Sequence, residues 1–147
     1  MNNTAKHITG VLQITLPQSI NHIDKIRMSV MNFFKHNEID EDTIAQIELS
    51  VYEVLMNILD HSSEEYRNQE IELKSRIFED RVETIIRNIG DFFDITNSAL
   101  PEIEKYCEEG KRRGLGLYII RTLMDNVSYV YKNKTNIITL TKFLSSN

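Results

Sequence analysis

Apolar residues recur along this chain with two periods, and the switches between them mark its elements. In residues 8–16, ITGVLQITL, apolar and polar positions alternate imperfectly, which predicts a strand closed by Pro17. Ile20, Ile23, Ile26, Val30, Phe33 and Phe34 follow at steps of three and four, predicting an amphipathic helix over 19–37 with Ser19 as its N-cap. Residues 38–62 open on acidic side chains suited to a helix start and carry the longest periodic run. Ile44, Ile47, Val51, Leu55 and Ile58 share one face of it. The strand period returns over 70–95, as two antiparallel strands turning at Glu79-Asp80-Arg81. A polar stretch after Gly90, a short helix over 98–108 and a buried helix over 115–125 come next. Residues 127–144 close the chain as a hairpin around KNKTN. The order β-α-α-β-β-α-α-β-β predicts an α+β two-layer sandwich, with a mixed, mostly antiparallel sheet and helices on one face.

Composition narrows the function classes. With 147 residues, 41% of them hydrophobic, the chain is expected to form a single domain over 1–147. Lys and Arg number 17 against 22 Asp and Glu, a formal charge of −5, so broad electrostatic binding of nucleic acid is disfavoured and any anion site is local. The single cysteine, Cys107, makes no intrachain disulfide and leaves no cysteine pair for zinc. The start MNNTAKHITG is polar and no apolar run approaches membrane-spanning length, so a cytoplasmic protein without a membrane partner is expected.

Three segments could carry chemistry. Opposite the apolar face of the second helix lie Gln46, Ser50, Glu53, Asn57, Asp60 and His61. The stripe reads either as the solvated side of an amphipathic helix or as a site. Glu53 and Asn57, four apart, project side by side. A carboxylate beside a carboxamide oxygen can poise a hydroxyl and hold a hard cation such as Mg²⁺. In RNIGDFFD, Gly90 at a strand end reads either as a tight turn or as backbone that comes close to a ligand, with Asn88 offering a donor and an acceptor. In GKRRGLG, Gly114 and Gly116 ahead of a helix could bring backbone N–H groups up to an anion, with Lys111, Arg112 and Arg113 adding charge. A plain turn with a solvated basic loop is the alternative. His7, His22 and His36 have no partner at ligand spacing, and Phe92-Phe93 reads as core.

In order, these segments form one pattern. E-x-x-x-N-x-x-x-H on a helix, N-x-G-D-x-F-D at a strand end and G-L-G-L before a helix resemble the Bergerat-type ATP-binding fold of the GHKL superfamily. Within it, SVYEVLMNILDHS, FEDRVETIIRNIGDFFD and RRGLGLYIIRTLMDNVSY are similar to the N box and the two glycine boxes of bacterial anti-sigma-factor serine kinases of the partner-switching type. The resemblance implies an ATP-dependent protein-serine kinase that binds a sigma factor and phosphorylates an anti-anti-sigma antagonist, pairing as a homodimer. The alternative is a weakly ATP-binding or non-catalytic regulatory module of the same fold. Glu53 is implied as general base and Asn57 as the ligand of Mg²⁺. Asn57, His61, Asn88, Gly90, Lys111, Arg112, Arg113, Gly114, Leu115 and Gly116 are implied in holding ATP or ADP. One position departs: the family's first glycine box begins with an aspartate that accepts a hydrogen bond from the adenine amino group, and here it is Asn88.

Overall fold

The computed structural model describes residues 7–93 and 113–145, with side chains from residue 116 onward in the second stretch. The expected short helix over 98–108, Cys107, Lys111 and Arg112 lie outside the described residues. Strand β1 (Ile8–Pro17) leads into α1 (Ile20–His36), whose start is fixed by the Ser19 hydroxyl accepting from the Asn21 N–H at 3.3 Å. Ile23, Ile26, Val30 and Phe34 form its buried stripe. The chain reverses at Glu38, a non-glycine residue at φ 61°, where the Ile39 N–H reaches back to the Phe34 carbonyl at 3.0 Å. Helix α2 (Glu41–His61) then starts on Asp40, whose carboxylate accepts from the Thr43 N–H at 3.0 Å and the Thr43 hydroxyl at 2.7 Å. These bonds, the hydroxyl's first, hold the Asp40 carboxyl below its ordinary pKa.

Strands β2 (Glu70–Phe78) and β3 (Arg81–Ile89) pair across a tight turn at Glu79 and Asp80. Helix α3 (Arg113–Leu123) is followed by β4 (Asn126–Lys132) and β5 (Thr135–Phe143). The turn between these last two strands places Asn133 and Lys134 at φ 53° and 59°, the left-handed pair that a two-residue hairpin demands.

The strand order is β1-β2-β3-β5-β4, and every described pairing is antiparallel. The sheet expected to be mixed and mostly antiparallel is therefore antiparallel at each neighbour. Two successive helices between β1 and β2 bring the chain back pointing the other way. A crossover carrying α3 makes β4 run parallel to β3, but β5 slots between them. The helices cover one face. Ile71, Leu73, Ile77, Val82, Ile86, Ile138 and Leu140 from the sheet meet the buried residues of α1, α2 and Ile120 of α3 in a single core. One polar pair sits inside it: the Ser75 and Thr84 hydroxyls, on neighbouring strands, satisfy each other at 2.7 Å.

Two expectations are corrected. The helix predicted over 115–125 spans Arg113–Leu123, so Gly114 and Gly116 lie within its first turn and not ahead of it. Asp125 leaves the helix because its N–H bonds the Thr141 carbonyl at 2.9 Å and its carboxylate accepts from the Phe143 N–H at 2.6 Å. Phe92, expected in the core, is 63% exposed, lying edge-on to Tyr129 and Tyr131, and only Phe93 reaches the core's margin.

Candidate functional site

Only the middle of the polar stripe of α2 is withdrawn from water, since Asp60 and His61 at its end are exposed. Helix α3 packs across that side, and Ser50 and Asn57 are buried beneath it while Glu53 is half-buried. The 3.6-residue period of α2 puts Glu53 one turn before Asn57, and the Asn57 Nδ2 donates to the Glu53 carbonyl at 2.9 Å. That bond orients the carboxamide and leaves its oxygen as the end a cation could use. Gly116 explains itself at the same place. A methyl group there would stand 2.6 Å from the Glu53 Oε2 and 3.7 Å from the Asn57 Nδ2. Only a glycine lets the first turn of α3 lie directly on the Glu53 carboxylate, and it does so against a helix-propensity cost of about 1 kcal/mol.

At the end of α2 and the ends of β3 and β5, a cavity of about 20 Å³ is lined by Asn57, His61, Asn88, Gly90, Phe93 and Asn136, among others. Strand alternation aims Asn88 inward, in phase with Val82, Thr84 and Ile86, and antiparallel register sets Asn136 directly opposite. Gly90 permits the turn after β3 to fold back on both. A Cβ at 90 would lie 3.1 Å from the Asn88 Nδ2 and 3.9 Å from the Asn136 Nδ2. That turn is held by the β4–β5 hairpin. The Gly90 N–H donates to the Lys134 carbonyl at 2.9 Å, and the Tyr131 hydroxyl donates to the Gly90 carbonyl at 3.0 Å. The Asn136 Nδ2 donates to the Asp91 carbonyl at 2.9 Å, and the Tyr129 hydroxyl donates to the Asn136 Oδ1. The Phe93 N–H donates to the Tyr129 hydroxyl at 3.2 Å, and its ring stacks on His61 with centroids 4.0 Å apart. With Phe93 seated there, the cavity is far smaller than the ~300–1,000 Å³ typical of small-molecule sites.

One group in the cavity wall has no protein partner among the described residues. Asn88 is 6% exposed, and its Oδ1 accepts no hydrogen bond. A buried polar atom left unmade costs about 1–3 kcal/mol, a cost that a hydrogen-bond donor on a ligand removes.

The structure thus brings Asn57, His61, Asn88 and Gly90 around one cavity and places Glu53 one helical turn away, under Gly116. Arg113, Gly114 and Leu115 belong to the first turn of α3, and Lys111 and Arg112 lie outside the described residues. Asn136, Tyr129 and Gln18 were not singled out from the sequence. Buried Gln18 joins the ends of three elements, accepting from the Ser62 hydroxyl at 3.0 Å and donating to the Ile89 carbonyl at 3.4 Å. For Asn136 a signal was present, a polar residue on the inward phase of a strand otherwise occupied by Ile138 and Leu140.

The sequence profile of the histidine kinase-like ATPase domain matches residues 16–142. The chain belongs to the histidine kinase-like ATPase domain family. Among its relatives within that family, the serine-protein kinase RsbW of Staphylococcus aureus (strain JH9) is 30% identical, across 90% of this chain and 86% of the relative. The serine-protein kinase RsbW of Bacillus subtilis is 27% identical, across 99% and 90%. Two solved structures share the fold. The RsbU and RsbW domains of a Mycobacterium tuberculosis protein match with a TM-score of 0.67 at 18% identity, across 95% of this chain. This chain spans about a third of that longer one, 34%. The SiaB-SiaC complex of Pseudomonas aeruginosa matches with a TM-score of 0.65 at 16% identity, across 97% of this chain and 92% of that one. Among the described residues no helix is long and apolar enough to cross a membrane.

Proposed function

We propose that this ATPase-family domain is a protein-serine kinase and anti-sigma factor, which binds a sigma factor and phosphorylates a serine of an anti-anti-sigma antagonist. The observation that carries the reading is the seat of the α3 N-terminal turn on Glu53 and Asn57, with glycine at 116 where any side chain would displace the carboxylate. A helix N-terminus favours phosphate. Here it stands beside one residue suited to taking a proton and one suited to holding a cation. The relatives named as serine-protein kinases support the same reading.

The residues present fit ATP with Mg²⁺. The orphaned Asn88 Oδ1 is an acceptor for the adenine amino group, and the turn at Gly90 brings backbone to the base. Among the described residues no cluster of three His, Cys, Asp or Glu side chains could hold a metal by itself. That suits an ion bound by one protein ligand, the Asn57 oxygen, together with phosphates and water. ATP supplies the γ-phosphoryl group, and Mg²⁺ offsets the charge on its phosphates. Glu53 accepts and holds the proton of the substrate serine hydroxyl as that oxygen becomes nucleophilic. Asn57 positions the metal, and His61 lines the far end of the α2 site, its ring covered by Phe93 until a base enters. Lys111, Arg112 and Arg113, with Gly114 and Leu115, would supply positive charge and backbone N–H groups to the phosphates. Admitting the base would require Phe93 to leave its stack on His61. The molecule acts as a cytoplasmic homodimer.

The test is to incubate the purified protein with Mg·ATP and the antagonist, then locate phosphoserine by mass spectrometry. Transfer is expected with the wild type and should fall ~10²–10⁴-fold in Glu53→Gln, the range of a lost general base. Undiminished transfer by Glu53→Gln would sink the assignment of Glu53. A second reading, a protein-binding module without phosphotransfer, is favoured by Asn88, a neutral carboxamide that offers no charge to a base. It gains if the wild type never labels the antagonist but binds it and the sigma factor.

A further inference from the structure

Two carboxamides face the cavity from opposite strands, and the fold treats them differently. Asn136 is fixed at both ends, its Oδ1 accepting from the Tyr129 hydroxyl and its Nδ2 donating to the Asp91 carbonyl at 2.9 Å. Asn88 is buried almost as deeply, 6% exposed against 4%, yet its Oδ1 has no donor and its Nδ2 no acceptor among the described residues. An amide with neither end committed can turn about its last side-chain torsion and present oxygen or nitrogen at the same point. Asn136 cannot do so without breaking the hydrogen bonds that hold the turn after β3. The protein therefore keeps one rigid carboxamide as scaffold and one reversible carboxamide as reader.

Resting on the reading of this cavity as the nucleobase site, we infer that Asn88 relaxes base specificity, so that 6-oxo purine nucleotides are bound as well as ATP. A carboxylate at this position could only accept, so it would match the adenine N6 amino group and repel a 6-oxo oxygen. The Asn88 carboxamide matches both purine edges. Its oxygen accepts from the adenine amino group while its nitrogen donates to N1. Turned over, its nitrogen donates to the 6-oxo oxygen while its oxygen accepts from the protonated N1. Asp91, also on the cavity wall, engages Asn136 through its carbonyl and is exposed, so it brings no carboxylate to the base edge.

Equilibrium titrations with Mg·ATP, Mg·GTP and Mg·ITP decide this, with ITP separating the 6-oxo edge from the bulk of the guanine 2-amino group. The wild type is expected to bind ITP within about tenfold of ATP, whereas a site built for one hydrogen-bonding pattern rejects the other by far more. Asn88→Asp should shift the ATP:ITP ratio at least about tenfold towards ATP. The wild-type ratio stands by itself if the buried aspartate prevents folding. ATP binding with ITP more than about tenfold weaker overturns this inference and leaves the nucleotide reading intact, as does an unchanged ratio in a folded Asn88→Asp. Binding of no nucleotide to folded wild type overturns both.

Discussion

Gly116 offers a single-atom test that separates stability from the proposed activity. The Glu53 Oε2 that a methyl group would meet at 2.6 Å is the far end of a flexible side chain, so it can swing aside. Alanine in the first turn of α3 gains about 1 kcal/mol of helix propensity. Gly116→Ala is therefore expected to melt at or slightly above the wild-type temperature while phosphotransfer falls at least about tenfold, because the displaced carboxylate no longer meets the serine. Calorimetric melting and a transfer assay on the same sample check this. Unchanged transfer would show that the seat on Glu53 is only packing. Glu53 and Asn57 were legible in the sequence because a four-residue step is a local property of a helix. Asn136 was not, since its place opposite Asn88 depends on strands 48 residues apart finding one register.

Elements carry the stability predictions. The Asp40 cap of α2 is worth about 1 kcal/mol, which Asp40→Ala should remove at neutral pH by denaturant titration. Because folding lowers the Asp40 pKa, its stabilisation is fully present above the ordinary aspartate value of about 3.9 and is lost as pH falls through the lowered one. The gap between wild type and Asp40→Ala should accordingly narrow below about pH 4. A gap that stays constant into acid would mean that the charge is irrelevant to the cap. In the sheet, Thr84→Val strands the buried Ser75 hydroxyl at a cost of about 1–3 kcal/mol, and adding Ser75→Ala should recover part of it. Equal losses in the single and double variants would count against a specific hydroxyl pair. The elements themselves were legible from hydrophobic period alone, with α1, α2 and the last hairpin within a few residues of their observed bounds, while the hairpin expected over 70–95 ends at Ile89. The start of α3 was not, because glycines argue against a helix locally, and only the carboxylate packed on Gly116 accounts for one of them.

At the scale of the molecule, the two-layer arrangement places the site. The end of α2, the end of β3 and the last hairpin converge at one edge of the sandwich, so an orphaned acceptor, a turn at glycine and a buried carboxamide come together from distant parts of the sequence. Helix α3 lies across α2 and brings the glycine segment to the same edge. The layering and its helix-covered face followed from element order, whereas the central place of β5 did not, since sequence order does not say which strand a crossover leaves room for. The central claim is that this edge binds a nucleotide through Asn88. It is tested most directly by following the Asn88 side-chain amide and the Gly90 backbone amide by heteronuclear NMR during titration with Mg·ATP. The account predicts saturable shifts of both; a well-dispersed spectrum in which neither moves at millimolar nucleotide would contradict it.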